Sequence, residues 1–310
     1  MNLSKFLDPK NDFAFKQVFG TEKNKDILIH FLNDMIPFPG GSKIEKVSFL
    51  KPSQDPDAAA RKQSIVDVLC VDEKGCQYIV EMQVANTQGF EKRAQYYAAK
   101  AYVNQMGEGD AYHNLKEIIF LAITDFIMFP DTSEYKSDHL ILEKNSLENH
   151  LKDFYFCFLE LPKFKKTIHE LNTPIEKWTY FFKHAPTTSL EELREVIGDY
   201  PIIEKAYTAL NQFFWSKDEL FAYDQELKRK RDEQAVYAQK VLEGELKGFV
   251  KGKAEGFTEG EAVGEARGAQ NAITRIAANL LVQGVDVATI QAVTKLSFEE
   301  IESLQPTLKR

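Results

Sequence analysis

Two apolar segments, 65–71 and 77–84, each contain polar side chains that a buried strand tolerates only when they have partners. These side chains are the carboxylates of Asp67 and Glu81 and the amide of Gln83. A carboxylate within a buried apolar segment is costly unless it is paired with a cation or holds a metal ion. The three residues are therefore the first candidates for chemistry in this chain.

The short polar turn 72–75, which ends in glycine, predicts that the two segments form a β-hairpin. The turn is centred near Lys74, so Asp67 and Glu81 should lie opposite each other with Cβ atoms about 5 Å apart. Gln83 is two residues from Glu81 and should share its face of the sheet. A bulge beside the turn would shift this pairing by one residue.

Two facing carboxylates predict a metal site, because their repulsion raises one pKa unless a cation lies between them. A hard divalent ion such as Mg²⁺ suits two carboxylates that leave room for waters and a phosphate, and other divalent cations are open as alternatives. Asp67 and Glu81 are the predicted metal ligands. The competing interpretation is a partly exposed strand with polar residues at its ends.

The elements around the hairpin predict an α/β fold with a mixed sheet flanked by helices. Both faces of the hairpin should be covered, because its strands are apolar on nearly every residue. Apolar spacing and turn residues indicate helices at 8–20, 21–36 and 89–106 and strands at 43–50, 116–124, 138–142 and 154–161. Helix, strand, hairpin, helix and strand therefore follow one another in the order αβββαβ.

This order and the acidic hairpin resemble the PD-(D/E)xK nucleases, in which an Asp on one strand is followed by (Asp/Glu)-x-Lys on the next. Here Asp67 is followed by Glu81-x-Gln83, so glutamine replaces the usual lysine. VEMQ, the amino-terminal NDFAFKQVF, an R-x-x-x-Y-x-x-K helix and LPKF are similar to the recombination-promoting nuclease (Rpn) family, also called PD-(D/E)xK nuclease family transposases. The resemblance covers residues 8 to about 165.

The resemblance implies a restriction-endonuclease-like core and a metal-dependent DNA endonuclease that hydrolyses phosphodiester bonds, linked to recombination or mobile-element movement. It implies that Asp67 and Glu81 hold Mg²⁺ and that Gln83 orients the attacking water or the phosphate. It also implies that Asp12 on the first helix adds an acidic group to the metal site. On its own, Asp12 is more typical of a helix N-cap.

A basic group must also stabilise the developing negative charge, because Gln83 cannot act as a cation. The candidates are Lys16 on the first helix and the helix after the hairpin, which carries Arg93, Tyr97 and Lys100 on one face at i, i+4 and i+7. Similar residues occur in the Rpn family, so we predict that this face binds the substrate phosphate. The alternative is a solvated basic stripe.

Composition limits the partners and the compartment. The 310 residues carry a net charge of −8, so contact with DNA requires local basic patches. The three cysteines lack metal-ligand spacing and predict reduced core thiols in a cytoplasmic protein. The sequence shows neither an apolar signal segment nor a segment that approaches a membrane span, so we expect no membrane partner.

The chain is predicted to contain four regions: a nuclease-like core at 1–165, a helical cap at 166–217, a charged segment at 218–269 and a small helical tail at 270–310. The predicted core aromatic residues of the cap are Trp178, Phe181, Phe182, Phe213, Phe214 and Trp215. A basic cluster at 228–231 either contacts the DNA backbone or forms a solvated helix face.

Glycine recurs at every fourth position from Gly244 to Gly268. Each interior glycine costs a helix roughly 1 kcal/mol relative to alanine, so this segment is either a flexible spacer or a helix packed against another copy. Cap signals at Asp286 and at Ser297 with Glu300 predict tail helices with helix-turn-helix spacing. The last helix is acidic, which favours assembly over DNA reading and predicts a homo-oligomer.

Two functions from different classes fit these observations. The first is the metal-dependent DNA endonuclease. The alternative is a DNA-binding or assembly module that keeps the fold, cleaves poorly and is oligomerised by its helical tail. A purely structural coiled-coil protein would leave Asp67, Glu81 and Gln83 unexplained.

Overall fold

A computed structural model describes residues 5–51, 53–54, 64–107 and 109–304. It confirms the predicted α/β fold, in which helices flank a six-stranded mixed sheet. The strands are β1 (Val47–Phe49), β2 (Ser53–Gln54), β3 (Ser64–Ile65), β4 (Val68–Asp72), β5 (Gln77–Gln83), β6 (Ile118–Thr124), β7 (Lys136–Ile141) and β8 (Leu151–Glu160). The six-stranded sheet has the order β1-β4-β5-β6-β8-β7, and β2 pairs with β3 in a separate two-stranded ribbon.

The helices account for most of the remaining described chain. They are α1 (Asp12–Phe19), α2 (Lys25–Met35), α3 (Phe90–Val103), α4 (Pro174–His184), α5 (Leu190–Ile197), α6 (Pro201–Ala209), α7 (Lys217–Val282), α8 (Val287–Thr294) and α9 (Phe298–Ser303). In the described residues, every helix is either too short or too polar to cross a lipid bilayer.

The hairpin of β4 and β5 has the predicted register. The two strands pair antiparallel with Val68 opposite Val80, and the same register continued by one residue sets Asp67 opposite Glu81. Gly75 in the turn has φ +90°, a left-handed conformation that glycine adopts without steric cost. The pairing of residues across the hairpin therefore follows from their distance to the turn, as counted in the sequence. No bulge displaces the two carboxylates.

The first strand is shorter than predicted, Val47–Phe49 instead of 43–50. The side chain of Asn33 on α2 explains the difference, because it binds both backbone groups of Ile44. The amide N–H of Ile44 donates to Asn33 Oδ1 at 2.8 Å, and Asn33 Nδ2 donates to the Ile44 carbonyl at 2.9 Å. These bonds take the place of the backbone hydrogen bonds that Ile44 would have made with a neighbouring strand.

The sheet separates two hydrophobic cores. On one face α1, α2, α4 and α6 bury an aromatic cluster that includes Phe19, Phe31 and Trp178. On the other face α3 packs closely through small residues such as Ala94 and Ala98. Strand β6 runs parallel to both of its neighbours and is buried at all seven residues. The carboxyl-terminal ends of β5, β6 and β8 therefore meet at one edge of the sheet.

One prediction for the helical cap is wrong. Phe213 and Phe214 were expected in the core but are 72% and 70% exposed. They lie on a single 3-10 turn, which directs consecutive side chains outward instead of onto one buried face. Trp178 and Phe181 are fully buried as predicted, because α4 is enclosed from Glu176 to Phe182 and packs against α2 and α6.

The chain divides into two compact units, Met1–Lys230 and Arg231–Arg310. In the second unit, the predicted caps of the tail are confirmed: Asp286 caps α8, and Ser297 with Glu300 forms the capping box of α9. The glycine repeat lies within helix α7 and not in an irregular spacer. A Cβ atom added to any of these seven glycines would meet no heavy atom of a neighbouring group within 4 Å.

Candidate active site

Hydrogen bonds link Asp67 to β5 and to the side chain of Glu81, at the ends of β4 and β5. The amide N–H of Asp67 donates to Glu81 Oε1 at 3.3 Å, and the amide N–H of Met82 donates to Asp67 Oδ2 at 2.9 Å. Glu81 is only 3% exposed and the Asp67 side chain 12%. Glu81 lies on the face of the sheet that α3 covers, because Ile79, two residues away, packs there. Asp67 precedes β4 in a bend, and its carboxylate lies 3.4 Å from Lys16 Nζ on α1.

Burial and proximity make ionisation of this pair unfavourable. Burial raises the pKa of Asp67 to about 7, with further contributions from the charge of Asp12 and a hydrogen bond to it. Burial also raises the pKa of Glu81 to about 8, and the negative charge of Asp67 is the next cause. Two carboxylates in this state are poised to gain a cation, since a positive charge between them removes their repulsion.

Asp12 reaches this pair from α1. The helix N-cap is Asn11, whose Oδ1 accepts from two backbone N–H groups of the first turn at 3.0 and 3.2 Å, so the alternative prediction of Asp12 as the N-cap is wrong. Burial opposes ionisation of Asp12, but a hydrogen bond from Asp67 and the ammonium of Lys16 outweigh it and lower its pKa. Lys16 Nζ lies 3.0 Å from Asp12 Oδ2 and 3.4 Å from Asp67 Oδ1.

Gln83 links the carboxylates to α3. Its Nε2 donates to Glu81 Oε2 at 2.9 Å, and its Oε1 accepts from Arg93 Nη2 at 2.5 Å. The Arg93 guanidinium also lies over the ring of Phe90, 4.8 Å from its centroid. Arg93 Nε is buried and has no hydrogen-bond partner among the described residues. Hydrogen bonds thus fix both the nitrogen and the oxygen of the Gln83 side-chain amide. The Nε–H group of Arg93 remains available beside it as a hydrogen-bond donor.

Tyr97 and Lys100 follow Arg93 along the same face of α3, and both are half-buried. Burial raises the pKa of the Tyr97 hydroxyl, and the charges of Arg93, Glu81 and Asp67 also act on it. Tyr97 is therefore within electrostatic reach of the carboxylates. Lys100 lies close to one turn farther along the helix.

Sequence reasoning did not single out the residues around Asp125, which follows β6 directly at the same sheet edge. The amide N–H of Asp125 donates to the Gln83 carbonyl at 2.8 Å, and its carboxylate pairs with Lys10 Nζ at 2.8 Å. Lys230 Nζ donates to the Lys10 carbonyl at 3.2 Å. The position of Asp125 after a buried strand was a usable signal, whereas the approach of Lys230 depends on the tertiary fold.

Two further lysines are near this edge on α4 and the segment before it. Burial lowers the pKa of Lys183, and the positive charges of Lys165 and Lys10 lower it further, while Asp125 acts in the opposite direction. A lysine whose pKa is lowered by other lysines lies in a locally positive field. Lys10, Lys165 and Lys183 therefore lie close enough together to act on one another, with Asp125 among them.

The donor set fits a hard divalent cation. Within the part of the chain that the structure describes, no group of three or more His, Cys, Asp or Glu side chains is arranged to hold a metal ion. Asp67 and Glu81 supply carboxylate oxygens from facing positions, and Mg²⁺ is commonly bound through one or two carboxylates with waters and substrate phosphates completing its shell. Carboxylate oxygens of this kind do not suit metals that prefer thiolate or imidazole ligands.

The family comparison extends over most of the chain. A model described as PD-(D/E)XK nuclease family transposase matches residues 9–240. The match passes the predicted limit near residue 165, so it includes the helical cap and the first part of α7. No curated protein and no solved structure matches the chain.

Proposed function

The chain belongs to the PD-(D/E)XK nuclease family transposases, and on that premise we propose that it is a Mg²⁺-dependent DNA endonuclease that hydrolyses phosphodiester bonds. The observation that carries the proposal is the facing, buried pair of Asp67 and Glu81, joined through Gln83 to Arg93. The family description also supports a role in DNA recombination or mobile-element activity.

Asp67 and Glu81 would hold the cation. Their raised pKa values support this assignment, since a bound cation would offset the repulsion and desolvation that burial imposes. When bound, a divalent cation polarises the phosphoryl oxygens and lowers the pKa of the attacking water. Asp12 would act on Asp67 from α1 and keep one negative charge at the rim of the site.

Gln83 and Arg93 would position the substrate. Gln83 is neutral and cannot stabilise a developing charge, but the bonds to Glu81 and Arg93 hold its amide in one orientation. Arg93, with Tyr97 and Lys100 on the same helix face, would bind the scissile phosphate or its neighbour. Lys16 would take the electrostatic role of the missing strand lysine, because its ammonium lies 3.4 Å from Asp67.

Lys16→Met should lower the single-turnover cleavage rate about 10²-fold, the usual cost of removing one group that stabilises transition-state charge. The affinity for Mg²⁺ should not fall, because removing a cation beside Asp67 does not disfavour binding of another. Quench-flow assays on a labelled duplex measure the rate, and calorimetric titration measures the metal affinity.

The control for Lys16→Met is Lys23→Met, which removes an exposed lysine from the turn before α2. Lys16→Arg should recover part of the rate, because it restores the positive charge. A Lys16→Met protein that cleaves as fast as the Lys23→Met control would remove the catalytic assignment of Lys16.

DNA is the proposed partner despite the net charge of −8. The lysines at the carboxyl-terminal edge of the sheet support this, because Lys10 and Lys183 concentrate positive charge there and Lys230 reaches Lys10. Backbone phosphates bind mainly to such local cations. The cysteines are free thiols, which supports action in the reducing cytoplasm.

We further propose that copies of the chain associate along α7. Leu242, Leu246 and Val250 are exposed at four-residue spacing, and the glycines of the same helix are open to close approach. Packing against another helix would offset the cost of so many glycines. We expect a dimer or larger species in sedimentation velocity, and Leu246→Glu with Val250→Glu should shift it toward monomer. A wild-type monomer at tens of micromolar would contradict this proposal.

A further inference from the structure

Helix α3 leaves part of its face of the sheet uncovered. Beside the helix lies a groove of about 560 Å³, bounded on one side by α3 and on the other by β7 and β8. Half of its ten lining residues carry rings, and three others are aliphatic; the rings are those of Phe129, His139, Phe154, Phe156 and Phe158. Glu91 and Gln95 of α3 add polar groups along one wall. The volume is in the range of ligand-binding clefts.

The groove continues toward the candidate active site. A smaller cavity of about 130 Å³ shares Glu91 and Phe129 with it and is also lined by Asn86. Asn86 is three residues beyond Gln83 at the end of β5, and the loop that carries Phe129 begins at Asp125, whose amide N–H donates to the Gln83 carbonyl. The smaller cavity is also lined by Phe90, whose ring lies 4.8 Å from the guanidinium of Arg93, and Arg93 donates to Gln83, so this cavity lies next to the candidate active site.

The aromatic wall of the groove is held in place before any ligand arrives. Glu160 is 1% exposed and accepts from the amide N–H groups of Met128 and Phe129, and Lys163 Nζ donates to the Phe129 carbonyl at 2.7 Å. The Phe129 ring lies 4.9 Å from the His139 ring and 5.4 Å from the Phe158 ring, centroid to centroid. A fixed wall of this kind loses little entropy when it binds a ligand.

We infer that this groove binds unpaired nucleobases of the DNA strand that extends from the scissile phosphate. The inference rests on the proposed nuclease function. Aromatic side chains stack on every base, while the polar rim of Glu91, Gln95 and His139 offers hydrogen bonds to base edges. A duplex cannot present its bases to such a wall without unpairing. The substrate class is therefore DNA with a single-stranded segment next to the cleavage point.

Fluorescence anisotropy in EDTA tests this on the full chain, because cleavage is then prevented. The probes are a labelled blunt duplex, the same duplex with a four-nucleotide single-stranded tail, and the tailed duplex with abasic residues in the tail. We expect the tailed DNA to bind about ten-fold more tightly than the blunt duplex, as one base–aromatic stack would give. The abasic tail should lose this gain, because it retains the phosphates and lacks the bases.

Phe129→Leu keeps an apolar side chain against Phe158 and removes the aromatic surface. It should abolish the ten-fold preference for the tail and leave blunt-duplex binding unchanged. The matched control is Tyr112→Leu, which removes an aromatic ring that is 82% exposed and lies outside the groove. Circular dichroism of each variant establishes that it is folded as the wild type is.

Three results would overturn the inference: equal binding of the intact and abasic tails, an unchanged preference in Phe129→Leu, or a wild-type dimer that Phe129→Leu converts to monomer. The last result would mean that a second copy covers the groove. The inference also fails separately from the nuclease proposal. Tail preference without metal-dependent cleavage would support base binding in the groove and contradict the proposed nuclease function. Cleavage without tail preference would support the nuclease function and contradict base binding in the groove.

Discussion

Asp67→Asn and Glu81→Gln should each reduce Mg²⁺-dependent nicking of supercoiled plasmid by at least ~10³-fold. Each substitution removes a negative oxygen ligand while preserving the size of the side chain. Loss of a correctly held cation removes several kcal/mol of transition-state stabilisation, and about 4 kcal/mol corresponds to 10³ in rate. Calorimetric titration should show weaker Mg²⁺ binding in both variants, which is a readout independent of activity.

The control for these variants is Glu73→Gln, in the exposed turn of the same hairpin. The Glu73 carboxylate accepts from the Lys46 amide N–H, and glutamine retains an acceptor there, so cleavage should be unchanged. Equal nicking by the wild type, Asp67→Asn and Glu81→Gln would point to a contaminating nuclease and remove the enzyme claim.

A different outcome would favour the alternative function. If the wild type binds DNA but nicks no faster than its variants, the chain is a binding or assembly module that keeps the nuclease fold. The neutral side chain of Gln83, in place of the usual lysine, is the observation that gives this alternative weight. The Lys16→Met experiment bears on the same point, since it asks whether a cation from α1 has replaced the strand lysine.

The arrangement of the carboxylate pair was predictable because it depends on local rules. A glycine-containing turn fixes the hairpin register, and the register fixes which side chains face each other. Burial of both strands followed from the apolar residues at most of their positions. The order of helices and strands then followed from spacing alone, so the fold and the relation of Asp67 to Glu81 were both accessible from the sequence.

Other features depended on competition between neighbours or on contacts distant in sequence. Asn11 and Asp12 are both good caps, and only the structure shows that Asn11 takes the role. Phe213 and Phe214 are apolar, yet a single turn directs them to solvent. Lys230 reaches Lys10 across 220 positions of sequence, which no local pattern encodes. Tertiary packing therefore decided the surroundings of the carboxylate pair.

The second large effect is on stability as a function of pH. Asp67 and Glu81 have folded-state pKa values raised to about 7 and about 8, above the ordinary 3.8 and 4.5. Between about pH 4 and pH 8 the native state binds more protons than the unfolded chain. The contribution of the pair to the free energy of unfolding is therefore complete below about pH 4 and is lost as the pH rises toward 8. The lowered pKa of Asp12 makes the native state less stable as the pH falls, but this effect occurs only below about pH 3.8.

The metal-free protein should therefore melt at a lower temperature at pH 8.5 than at pH 5.5, and Asp67→Asn should reduce this difference, because it removes one of the two titrating acids and the charge that acts on the other. A rise in one pKa from 3.8 to about 7 corresponds to at most about 4 kcal/mol, so we expect a change on the order of 5 °C. Mg²⁺ should stabilise the wild type more at pH 8.5 than at pH 5.5, because protons compete for the same oxygens at low pH. Thermal unfolding in EDTA and in Mg²⁺, with Glu73→Gln as the control, measures both effects. A melting temperature that is flat across this range in the wild type would show that the two acids are not buried together.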